Sequence, residues 1–165
     1  MGKGTVARTM FLQAGLGALV AGMAAGPVLA RTRSACDLLT LQQVGAALGA
    51  AVRIDQSASG PDPSGGDNCV WNSADGRNIM TRILAVKDRN LVQYTFKSAL
   101  SDAFSNGPPP ESLSGVGHEA RYRAYTGNLA GGVVVARRGN IVFVVEGLAP
   151  KARLVELAKK EAAGL

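Results

Sequence analysis

Imidazole is almost missing from this sequence: His118 is its only histidine, and Cys36 and Cys69 are its only cysteines. A structural zinc site wants about four ligands, and these three fall short of one. A catalytic thiol or serine wants a base beside it. His118 is the single imidazole on offer, at a loop edge where a histidine is more often solvent-facing or hydrogen-bonded than catalytic. No G-x-S-x-G elbow, Walker-type phosphate loop, dinucleotide fingerprint or H-E-x-x-H helix occurs. Aromatic residues make up 5% of the chain, too few for a sugar cleft even if Glu111 and Glu119 formed a carboxylate pair. The expectation is therefore a non-enzymatic protein with no catalytic residue, metal or cofactor, a hydrolase being the least favoured alternative.

Concentrated charge is lacking too. The formal net charge is +6, but the basic residues are spread along the chain. A nucleic-acid footprint would cluster Lys and Arg on one element, so no nucleic-acid partner is expected. There is also no uninterrupted apolar run of the ~20 residues a spanning helix needs. Met10 to Ala25 comes nearest and is broken by Gly15, Gly17 and Gly22, with Gly26 and Pro27 following. Preceded by Lys3 and Arg8 and ended by Val28-Leu29-Ala30, it has the layout of a secretory leader. Residues 1–30 are read as a signal peptide cleaved near Ala30, with no retained membrane anchor. Lipid attachment at Cys36 is not expected, because Arg33 stands where a lipoprotein signal carries an aliphatic residue. Residues 31–165 then form a single exported domain, periplasmic or extracellular.

An exported chain meets an oxidising compartment, where an even cysteine count reads as a disulfide. Cys36 and Cys69 are expected to bridge, tying the start of the domain to the strand "DNCVWN". Period two puts Cys69 and Trp71 on one face of that strand, so Trp71 is expected in the core beside the bridge.

The rest is well punctuated. Thr40 with Gln43 makes a capping box, Leu39 and Val44 are placed for a hydrophobic staple, and Gly49 stops the helix. Leu41, Val44 and Leu48 are its expected apolar face. "SASGPDPSGGD", 57–67, reads as loop; with Asp55 it mimics half a calcium loop but lacks the carboxylate at the twelfth position, which is Gly66. Strands follow at 68–72 and 78–86, joined through Asp75-Gly76. A helix over 88–104 carries Val92, Phe96, Ala99 and Ala103 as a stripe and ends at Asn106-Gly107 and Pro108 to Pro110. A strand enters near Glu119. The hairpin "GVVVARRGNIVFVVEG" is next, and a last helix spans roughly 150–162. The fold class is α+β: an antiparallel sheet of five or six strands, with two or three helices packed mainly on one face.

"CDLLT" at 36–40, "LG" at 48–49, "CVW" at 69–71, "GVGHEARY" at 115–122 and "RRGNIVFVV" at 137–145 together resemble a group of small bacterial secreted or lipoprotein domains of unknown function. The resemblance spans most of residues 31–165. It implies an α+β fold and a bridge between Cys36 and Cys69. Many relatives carry a lipid-attachment signal, from which Arg33 departs, and the position of His118 is often acidic in them. No activity comes with it.

Two surfaces could bind. Arg121, Arg123 and Tyr125 share one strand face and could hold a carboxylate or phosphate. "GVVVA" and "IVFVV" are apolar on both faces, unlike a half-solvated strand. One face meets the helices; the other is the expected working surface, because large bare apolar patches are rare on monomers. The function expected is protein–protein interaction in the cell envelope, with a homodimer as one form of it. The alternative is a module for a small apolar or anionic ligand.

Overall fold

The computed structural model describes residues 33–63, 65–104, 109–127 and 130–165. The leader assigned to residues 1–30 and the Asn106-Gly107 helix stop lie outside the described residues.

Local chemistry shapes the first elements as expected. The first helix, α1, runs Leu41–Leu48, and its ends follow the side chains. Thr40 Oγ1 accepts from Gln43 N at 3.2 Å, and Gln43 Oε1 accepts from Thr40 N at 2.9 Å. Two amides that a helix start leaves unpaired are thereby satisfied. Gly49 ends it with φ 67°, a left-handed turn that costs glycine little. Leu41 departs from its expected role. It is 50% exposed, and the buried face is Val44, Ala47 and Leu48.

The strands are β1 Val52–Ile54, β2 Gly60–Pro61, β3 Asp67–Ser73, β4 Asn78–Ala85, β5 Glu111–Leu113, β6 Glu119–Ala124, β7 Gly132–Arg138 and β8 Ile141–Gly147. They form one antiparallel sheet in the order β1-β3-β4-β8-β7-β6-β5, with β2 also on the outer edge of β3. Eight strands, rather than five or six, is a correction. The additions are short edge pieces, and β2 falls inside the stretch read as loop. Three of them, β1, β2 and β5, owe their pairing to a neighbouring strand rather than to a run of their own, so hydrophobic alternation does not announce them.

Period two then sorts the side chains. One face carries Cys69, Trp71, Ile79, Ile83, Val134, Ala136, Phe143 and Val145, in the same core as α1 and the last helix, α3 Lys151–Gly164. The opposite face carries Val133, Val135, Val142 and Val144 under Val92, Phe96 and Ala99 of the middle helix, α2 Val92–Ala103. Helices therefore cover both faces, α1 and α3 on one and α2 on the other. Two of the three helices share one face, as expected; the third covers the face expected to be bare, which is a correction. The physical cause is the β7–β8 hairpin, whose two apolar faces each need a cover.

The bridge between Cys36 and Cys69 is present, with Cα atoms 5.0 Å apart. Trp71 is fully buried in the core that contains Cys69. Asp67 reinforces the same attachment: its carboxylate accepts from Ala35 N at 2.5 Å and Ser34 Oγ at 2.9 Å. A disulfide of this kind belongs to a non-reducing, exported environment. Among the described residues no helix is long and apolar enough to cross a membrane.

Candidate functional site

A helix with its side chains is about 10 Å across and strands lie about 4.8 Å apart, so one helix covers about two strands. α2 covers β7 and β8 and leaves the same face of β4 open. The residues of β4 that point there are Met80, Arg82 and Leu84, paired across to Glu146, Val144 and Val142 of β8. Between this strip and the flank of α2 runs a groove of about 360 Å³. Its helix wall is built from short side chains, Thr95, Ser98, Ala99 and Ala103, together with Asp102. Met80, Leu84 and Val144 make its floor apolar, and Glu146 makes one end acidic.

Glu146 stands in an unusual place for a carboxylate. Its cross-strand neighbours are Met80 on one side and Val133 on the other. Burial raises its pKa, and the nearby Arg82 works against that shift. Tyr125 shares this environment. Its phenol is pushed up to about 12, first by burial and then by the charge of Glu146, while an N–H from Gly147 donated to its oxygen opposes the rise. Arg82 itself is ion-paired with Asp62 at 3.4 Å, and Asp62 also accepts from Asn68 Nδ2 at 2.9 Å. With that pair balanced, Glu146 and Asp102 leave the groove with an acidic bias.

The residues singled out from sequence do share this face, as their alternation implies, but they are drawn to different partners. Arg123 donates to the carbonyls of Phe104 at 3.0 Å and Ala103 at 3.1 Å, and its guanidinium lies 4.9 Å from the Phe104 ring centre. It closes the C-terminal end of α2, where orphan carbonyls and the negative end of the helix dipole favour a cation. Arg121 donates to Ser112 Oγ and reaches Glu119 at 3.5 Å. Tyr125 lies by Glu146. Cys36 and Cys69 are consumed by the bridge. Glu111 is ion-paired with Lys151 at 2.7 Å, and Glu119 with Arg137 at 3.1 Å. Asp55 closes a local turn by accepting from Ser57 N at 3.0 Å and from Asn72 Nδ2 at 3.0 Å.

Met80, Glu146 and Asp102 escaped sequence reasoning. A signal existed: Arg82 and Glu146 are polar interruptions of apolar strands, and both fall in phase with the same face. Only the position of α2 turns them into a groove. No protein family and no curated protein matches the chain.

Proposed function

We propose that the protein is an exported interaction domain of the cell envelope, and that the groove between α2 and β4 is its working surface. The observation that carries this reading is the half-buried carboxylate of Glu146 beside an apolar floor, with Asp102 on the wall. An apolar floor with an acidic end suits a partner segment that carries a basic side chain among apolar ones. The lysine or arginine stem lies on Met80 and Leu84, and its charged head meets Glu146 and Asp102. The role is binding rather than covalent chemistry. Both cysteines are tied in the bridge, and Nδ1 of the single imidazole is occupied by Gly139 N–H at 3.1 Å.

A photo-crosslinking amino acid at Ser98 tests this in intact cell envelopes. The expected adduct maps to a lysine- or arginine-bearing segment of one partner, and its yield falls severalfold when Asp102→Asn is added. A probe at Lys160, on α3 behind the sheet, serves as the control. Equal yields from the two positions, or a Ser98 adduct indifferent to Asp102→Asn, overturn the proposal.

A further inference from the structure

A second concavity lies on the other flank of α2, where the helix begins and the β7–β8 turn comes up beside it. It has a volume of about 420 Å³, and its lining includes Arg89, Gln93, His118, Arg137 and Asn140. It shares no residue with the groove, so its role stands or falls independently of the one proposed above.

The backbone fixes His118 here. Gly117 has φ 58°, and a Cβ on it would come within 2.4 Å of the Arg137 carbonyl oxygen. Only glycine lets the chain pass β7 this closely. His118 N then donates to Arg137 O at 2.8 Å. Gly139 N donates to His118 Nδ1 at 3.1 Å. A neutral ring that accepts at Nδ1 carries its proton on Nε2. The fold thus chooses the tautomer and leaves Nε2–H as an uncommitted donor.

Two guanidiniums complete the set. Arg137 spends its Nε on Glu119 at 3.1 Å, which leaves its two terminal nitrogens to donate elsewhere. The side chain of Arg89, on the 3₁₀ turn Arg89–Leu91 that leads into α2, makes no hydrogen bond or ion pair among the described residues. Gln93 is uncommitted as well. Glu119 is already shared between Arg137 and Arg121, Asp88 beside Arg89 accepts from Asn90 N at 2.9 Å, and neither carboxylate lines the cavity. The cavity therefore presents guanidinium forks and an imidazole N–H, with no carboxylate in its lining. Planar forks of this kind match the paired oxygens of carboxylates and phosphates.

We propose that the cavity formed by Arg89, Arg137 and the Nε2–H of His118 is a binding site for an oxyanion, a phosphate or carboxylate group of a small molecule or partner. The anion-binding chemistry anticipated for Arg121 and Arg123 is thereby assigned to Arg137, one strand over, and to Arg89 on the turn before α2, whose donors remain open.

The single histidine makes the test unambiguous, since every imidazole signal belongs to His118. The intact domain is followed by ¹H–¹⁵N NMR of the ring at pH 8. It is titrated with inorganic phosphate, with acetate, and with sodium chloride at matched ionic strength. A saturable shift of Nε2 with phosphate or acetate, absent with chloride, is the expected result, and whichever anion gives it identifies the class. Arg89→Gln should weaken that binding at least tenfold while leaving the backbone spectrum otherwise unchanged, because Arg89 holds nothing else in place. Lys160→Gln removes a charge elsewhere and should leave the affinity as it was. Shifts that follow ionic strength alone, or an affinity equal in Arg89→Gln and the unaltered protein, overturn the assignment.

Discussion

Glu161 is the least exposed acid among the described residues. It sits in α3, fully buried, and neither carboxylate oxygen has a hydrogen-bond partner. Burial alone raises its pKa well above the ordinary 4.5, with no neighbouring cation pulling it back. In the unfolded chain the same group titrates near its ordinary value. Between those two values the native state keeps a proton that the unfolded state has released. The contribution of this group to stability is therefore greatest below about pH 4.5 and falls as pH rises toward the native-state pKa, by about 1.4 kcal/mol per pH unit. Two variants separate titration from polarity. Glu161→Gln keeps an unpaired polar group but cannot ionise, so it should remove the slope and match the unaltered protein near pH 4. Glu161→Leu removes the polar group as well and should be about 1–3 kcal/mol more stable than Glu161→Gln at every pH, the cost of an unsatisfied buried polar group. Urea unfolding followed by the fluorescence of Trp71 from pH 4 to pH 8 measures both, and Trp71 is the only tryptophan. If the unaltered protein and Glu161→Gln show the same pH slope above 4.5, Glu161 is not buried as a neutral acid and the argument fails.

Two further outcomes follow from the structure. Reducing the Cys36–Cys69 bridge, which joins residues 33 apart, should cost about 4 kcal/mol in the chain-entropy account of a loop of that length. The same urea experiment with and without reductant checks it, and a loss under about 1 kcal/mol would mean that Asp67 alone anchors the segment at Ser34 and Ala35. Arg123→Gln removes a charged donor from the last carbonyls of α2 and should cost about 1–2 kcal/mol. Hydrogen exchange should then speed up in the last turn of α2 and stay unchanged in α1.

What was legible in the sequence, and what was not, divides by range. The Thr40–Gln43 box, the Gly49 stop, the Asp75-Gly76 turn and the alternation in β7 and β8 all act over a few residues, so each shows in a short window. The bridge was legible for a different reason, since export and a pair of cysteines leave one economical answer. β5 and β2 were not legible, because a two- or three-residue strand is defined by the edge it joins. Arg121, Arg123 and Tyr125 were placed on the right face from alternation alone. What each does there depended on which helix end, acid or carbonyl came within reach from elsewhere in the chain.

Sequence alone determined the three helices and the five longer strands, that the β7–β8 hairpin needs cover on two sides, and that Cys36 meets Cys69. Only the tertiary structure decided that α2 supplies the second cover, leaving a groove along β4 on one flank and the Arg89–His118–Arg137 cavity on the other. It also decided that Glu161 is fully buried. Local elements follow from hydrogen bonds and sterics within one or two turns of chain. The docking of α2 follows from apolar area summed over residues dozens of positions apart, and that sum exists only once the sheet has formed.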